Sequence, residues 1–259
     1  MLANIEQALL VLSVDIESPA PMASREQQRE VRNVAHQMIR LLDKHQLAAT
    51  WAVADPGAEW AIAQVFDANV PHELAIQGNA VWPHSPLSRV DFAGKLYRNL
   101  ESAARHEIRV RSIVGLEIAP EHSDLLVKNE ITTLRSPRTS YSRAVQWSEP
   151  RSVRFGVWNF PESCRFPLEK SWISDLTTMS FQRAVRAAAA GRRSLHVAMD
   201  ARRVAQSPVY HLKCLEGLLE CITKYRHSRQ LVPMTLHGVA TTLAQRPLYR
   251  SSCSILRAA

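Results

Sequence analysis

Two acids, Asp15 and Glu17, stand directly after an almost wholly apolar run of seven residues, Ala8 to Val14. Carboxylates one residue apart offer oxygen ligands of the kind Mg²⁺ or Ca²⁺ prefers; acids at such a place also cap or solvate a loop. Other polar residues end other apolar stretches: Asp55, the pair Gln77 and Asn79, Arg135, Asp200 and His237. A histidine there can donate or accept a proton, or it can be a hydrogen-bonded member of the core. Arg135, Arg138 and Arg143 could hold an anionic sugar or phosphate, or form a solvated basic face. Trp82, Trp147, Trp158 and Trp172 fall in loop-like regions, where an indole either stacks on a sugar ring or plugs the core. His84, in Trp82-Pro83-His84, has no second histidine near it; one lone histidine is poor evidence for a metal.

The elements that would position these residues alternate along the chain. Ala8 to Val14 reads as a strand covered on both faces. Ser24 caps a helix from Arg25 to about His45, whose apolar residues Val31, Val34, Ala35, Met38, Leu41 and Leu42 form one stripe. Strands are predicted over Leu47–Val53, His72–Ile76, Arg109–Val114, Ile131–Arg135, Leu195–Ala198 and Leu231–Leu236. Helices are predicted over Ala58–Phe66, Asp91–Arg105, Ser123–Asn129, Phe181–Ala190, Val209–His227 and after Gly238. The stretch from Ser136 to Trp172 resists assignment; long irregular segments often line sites. Strand–helix alternation with no dividing linker predicts one α/β domain over residues 1–259, with a largely parallel sheet or barrel. In such folds the site lies at the C-terminal strand ends, which is where the residues above fall.

Composition narrows the classes. Of 259 residues, 46% are apolar and 22% charged, so the chain can bury a core and is not a disordered or collagen-like polymer. No apolar run approaches the roughly 20 residues of a membrane span. Residues 1–7 lack a basic segment, which makes a cleaved leader unexpected and the cytoplasm the default location. The formal charge is +8, but only six of the 32 basic residues are lysine and no basic block occurs. A nucleic-acid partner is therefore not expected. Cys164, Cys214, Cys221 and Cys253 form no C-x-x-C pair and read as reduced thiols.

Five segments together resemble the polysaccharide deacetylases of the NodB-like superfamily. Leu12-Ser13-Val14-Asp15-Ile16-Glu17 is similar to that family's first motif, a strand ending in two nearby acids. The run Leu41-Leu42-Asp43-Lys44-His45, continuing through Ala49-Thr50-Trp51, resembles its helix and second strand. His72-Glu73-Leu74-Ala75-Ile76, Leu134-Arg135-Ser136-Pro137 and Met234-Thr235-Leu236-His237 resemble the later motifs, in the family's order, over roughly residues 8 to 245. The resemblance implies a distorted (β/α) barrel of about seven strands. It implies hydrolysis of acetamido-sugar C–N bonds at a zinc-like ion held by an acid and two histidines. On this resemblance Asp15 matches the base, Arg135 the residue that orients it, and His237 the acid. The metal ligands depart from the pattern. The usual second acid falls at Ile16, with Glu17 as the substitute, and the two histidines fall at Gln77 and Val81. His84 lies three residues past the second place, and Asp200 stands where many relatives carry another histidine. The expectation is a deacetylase-like protein with lost or altered zinc chemistry, or a non-catalytic relative that binds a carbohydrate or a partner. Asp15, Arg135 and His237 are its catalytic candidates. Glu17, Gln77, Asn79, Trp82, His84 and Asp200 are its ligand-binding candidates. No cofactor is expected beyond a weak divalent ion at Asp15 and Glu17, and the expected ligand is a small molecule or oligosaccharide.

Overall fold

The computed structural model describes residues 7–16, 24–82, 88–137, 145–147, 149–167 and 174–245. Its organising strand is β1 (Ala8–Asp15), buried at every position. Chain order continues with α1 (Arg25–Lys44), β2 (Thr50–Val53), α2 (Glu59–Phe66), β3 (Glu73–Gln77), α3 (Gly78–Val81) and α4 (Arg89–Ala104). Next come β4 (Ser112–Val114), α5 (Ser123–Lys128), β5 (Thr133–Arg135), β6 (Arg151–Ser152), β7 (Trp158–Asn159) and β8 (Cys164–Phe166). The chain then forms α6 (Ser174–Gly191), β9 (Leu195–Asp200), α7 (Ala201–Val204), α8 (Pro208–His227), β10 (Leu231–Met234) and α9 (Leu236–Ala244).

The ten strands among the described residues belong to one curled sheet in the order β6-β7-β5-β4-β3-β2-β1-β9-β8, with β10 also paired to β1. Every pairing is parallel except β6 with β7. The result is a half-barrel. The expected barrel of about seven strands therefore has extra short strands, drawn from the stretch 136–172 that periodicity could not assign.

Alternation along β1 explains the layering, because successive side chains point to opposite faces. Leu10, Leu12 and Val14 join the outer core with Val34 and Met38 of α1, Val185 of α6 and Leu215 and Leu219 of α8. Leu9 and Val11 face the concave side, where they meet Leu236, Val239, Ala240 and Leu243 of α9. Thus α9 fills the lower part of the half-barrel. Ser24 caps α1 as expected, accepting from the Gln27 N–H at 3.2 Å.

The start of α9 is held by a buried polar cluster at the beginnings of the strands. The Leu236 N–H donates to Thr50 Oγ1 at 2.9 Å, and the His237 N–H donates to Glu73 Oε2 at 3.1 Å. Thr50 Oγ1 donates to the same carboxylate at 2.9 Å, and Ser112 Oγ donates to its other oxygen. A carboxylate at a helix N-terminus satisfies free N–H groups and complements the helix dipole. Thr235 caps the helix, accepting from the Gly238 N–H at 3.1 Å. The helix thus starts two residues before Gly238, and His237 lies in its first turn, not at the end of a strand.

Leu12 is fully buried between β1 and the outer helices. Leu12→Ala is expected to cost roughly 3 kcal/mol of folding stability, within the range for an emptied leucine site. Urea denaturation of the two proteins measures it.

Candidate functional site

The upper ends of β1, β5, β8 and β9 bring four charged side chains to one place. The Asp15 side chain is 4% exposed and that of Arg135 is 1% exposed. Arg135 Nη2 donates to Asp15 Oδ2 at 2.7 Å, and its Nη1 donates to Ser13 Oγ at 2.8 Å. A second guanidinium reaches the same carboxylate oxygen: Arg165 Nη1 lies 3.2 Å from Asp15 Oδ2. Arg165 is itself gripped from the other side by buried Glu162, with Nε to Oε1 at 2.9 Å and Nη2 to Oε2 at 2.6 Å. This fork geometry is the one in which arginine binds a carboxylate most strongly.

Burial alone would push the Asp15 carboxyl up. The charges of Arg135 and Arg165, with the Arg135 hydrogen bond, outweigh burial and hold it below its ordinary value. Asp200 is the register partner of Asp15 on β9. Burial first, then the Asp15 charge, pushes its carboxyl up. Its Oδ1 accepts from the Arg203 N–H at 3.1 Å, so it caps α7.

Beneath the ion pairs lies a neutral support. Ser13 Oγ is 2.8 Å from His196 Nε2. Arg135 also donates to this hydroxyl, so Ser13 links the arginine to the imidazole. Burial, with the nearby Arg135 charge, lowers the His196 pKa to about 3, which agrees with a neutral ring. The pair has the spacing of a nucleophile and its base. Ser13 is wholly buried, however, and committed to Arg135; it positions the arginine.

The other sequence candidates fall in several places. Gln77 is 1% exposed at the end of β3, paired with Val114 of β4. Asn79 follows in α3, and its Oδ1 is buried without a partner among the described residues. It packs under Gly115, where φ is +72° and a Cβ would lie 3.1 Å from Asn79 Oδ1; glycine meets both constraints. Trp82 is 2% exposed. It packs on Phe92 at 5.0 Å between ring centroids, within the core under α4. His237 Nδ1 is 3.0 Å from Thr132 Oγ1, and the His237 backbone is tied to Glu73. Thr132 and Glu73 lie at the lower ends of β5 and β3, on the order of 10 Å along the strands from Arg135 and Gln77. Of the four residues expected to converge, Asp15 and Arg135 are in contact, Gln77 ends β3 on the same side of the sheet, and His237 is at the opposite end. Glu17, His84, Arg138, Arg143, Trp172 and Cys253 lie outside the described residues.

Sequence reasoning missed Arg165, Glu162, Ser13 and His196. The last two break the apolar alternation of β1 and β9 on the inner face, a usable signal. Arg165 and Glu162 are spaced i,i+3 in the unassigned stretch, with no periodicity to place them.

The donor set among the described residues does not fit a zinc ion. Asp15 Oδ2 is shared by two permanent cations, which would repel a third charge placed there. Gln77 and Val81 supply an amide and an isopropyl group, and catalytic zinc draws about three ligands from His, Cys, Asp and Glu. Among the described residues no three such side chains are grouped to hold an ion.

Solved structures share this architecture. A protein named as a polysaccharide deacetylase of Mycobacterium smegmatis matches with a TM-score of 0.64 at 13% identity, over 90% of this chain and 89% of that one. A CE4 family pseudoenzyme of Bacillus anthracis matches with a TM-score of 0.53 at 13% identity, over 92% of this chain and 66% of that one. A 4-alpha-glucanotransferase of Thermococcus litoralis matches with a TM-score of 0.61 at 12% identity, over 93% of this chain and 40% of that one. No protein-family model and no curated protein matches the sequence. The fold is thus the NodB-like fold of the polysaccharide deacetylases, as the sequence motifs implied. At these identities the likeness concerns architecture, and the site must speak for the chemistry.

The buried histidines set an acid limit. Burial lowers His196 to about 3 and His72 to about 4, whereas the unfolded chain protonates near the ordinary 6.5. Between those values the unfolded state binds more protons, so stability falls as pH falls. The depressed Asp15 carboxyl adds a further loss below its unfolded value of about 3.8. The urea midpoint is expected to be lower at pH 5 than at pH 7.5. The gap should narrow in His196→Gln.

Proposed function

We propose that this chain binds carbohydrate on a deacetylase fold without zinc-dependent acetamide hydrolysis. The observation that carries this reading is the state of Asp15. Its carboxylate is buried, ionised and neutralised by Arg135 and Arg165. A general base needs a proton affinity near the working pH, and a metal ligand needs a free, electron-rich oxygen facing a cation. Asp15 is shifted away from the first role and blocked by positive charge from the second. The departure at Gln77 and Val81 points the same way, and so does the position of His237, too far down the barrel to protonate a leaving amine at Asp15.

Carbohydrate is the favoured ligand class because two similar structures carry the names of enzymes acting on polysaccharide or glucan. One similar structure is a pseudoenzyme. The polar strand ends offer Asp200 and Arg203, both partly exposed, to hydroxyl groups.

Isothermal titration with N-acetylglucosamine and glucose oligosaccharides, alongside acetate release with and without added Zn²⁺, tests the reading. Saturable binding to one series with no acetate released is expected. Zinc-dependent acetate release would overturn it, as would the absence of binding to every oligosaccharide in both series.

A further inference from the structure

Arg165 is the charged residue whose surroundings the reading above leaves unexplained. Its guanidinium lies among three acids from three segments: Asp15 at the end of β1, Glu162 before β8, and Asp200 at the end of β9. Glu162 takes two of its nitrogens and Asp15 a third. The charge of Asp200 is also felt at Arg165. The Glu162 side chain is wholly buried, whereas that of Arg165 is 28% exposed. The acid is therefore an internal tether for a partly exposed arginine.

We infer that Arg165 is a built-in cation that occupies the place a metal would need at Asp15. The inference rests on the reading that Asp15 serves no metal, and it names the residue that enforces this. Three acids against Arg135 and Arg203, whose Nε lies 3.5 Å from Asp200, would leave the pocket one charge negative. With Arg165 in place the charges balance. An arginine cannot be chelated and does not lose its proton in a protein. Its charge therefore stays at any working pH or metal supply. Geometry agrees with a planar cation. Glu162 accepts from Nε and Nη2 along one edge, and Asp15 accepts from Nη1. The acids are spread around a guanidinium, and among the described residues they do not converge on a point. Asp15 also keeps one oxygen in reserve. Its Oδ1 is buried with no hydrogen-bond partner among the described residues, and the whole residue is 3% exposed. Without Arg165, the carboxylates of Asp15, Glu162 and Asp200 carry uncompensated negative charge, which attracts a hard divalent cation.

Mn²⁺ titration of the full chain, with free ion read by electron paramagnetic resonance, tests the inference. Wild type and Arg165→Lys, which keeps the charge, are expected to bind Mn²⁺ equally weakly. Arg165→Ala should bind at least about tenfold more tightly, since a unit charge a few ångströms from the ion is removed. Adding Asp15→Asn to Arg165→Ala should abolish the gain. Arg165→Gln, which keeps most of the stem, is read in the same way should the alanine variant not fold. No gain in the neutral variants, or an equal gain in Arg165→Lys, would overturn the inference and leave the carbohydrate reading standing. Stoichiometric Zn²⁺ or Mn²⁺ on the wild type would overturn both. A failure of oligosaccharide binding would touch only the functional reading.

Discussion

A carboxylate taken out of water must find positive charge or give up its own. Asp15 is placed at the end of the most central strand, with α-helices behind it and the sheet on either side. The molecule meets this demand twice, through Arg135 from β5 and Arg165 from β8. Each arginine then imposes its own requirement. Arg135 needs an acceptor for its second nitrogen, which Ser13 supplies, and Ser13 is held in turn by His196. Arg165 needs the buried acid Glu162. A buried ion pair seldom adds much net stability, but one left half-made is costly. The four elements that carry these residues are therefore held to one mutual arrangement.

The same strand shows how a half-barrel is divided along its axis. On the inner face of β1, Leu9 and Val11 seat α9, and two residues further on Ser13 and Asp15 build the polar site. The lower half is apolar and plugged by a helix, while the upper half is charged. Glu73, which belongs to one of the segments that carry the family resemblance, works at the other end. It secures the first turn of α9 and so keeps the lower half filled.

Much of the architecture was legible from residue pattern. β1 and α1 declared themselves because burial on two faces, or on one helical stripe, leaves a periodic record, and Ser24 marks a helix start by a local hydrogen bond. Asp15 and Arg135 could be paired because each ends an apolar run and parallel strands deliver their C-terminal ends to one side. His237 was misplaced because Leu231 to Leu236 reads as one strand. The change from strand to helix at Thr235 depends on Thr50 and Glu73, which are remote in sequence. Arg165 and Glu162 were illegible for a related reason. β6, β7 and β8 have two or three residues each, too few for any period, and their positions are set by pairing with longer strands.

The pairing of β10 with β1 has a consequence for how the chain is made. Ala8 and Leu9 lie opposite Leu231 and Val232, so β1 waits for a partner strand made far later in the chain. Until α9 follows, the inner residues Leu9 and Val11 have no helix over them, and the half-barrel has an open, water-filled floor. Contacts of such long sequence separation form late and slowly. The nascent protein therefore passes through a stage in which its most buried strand is still exposed on one face, the kind of state in which aggregation competes with folding.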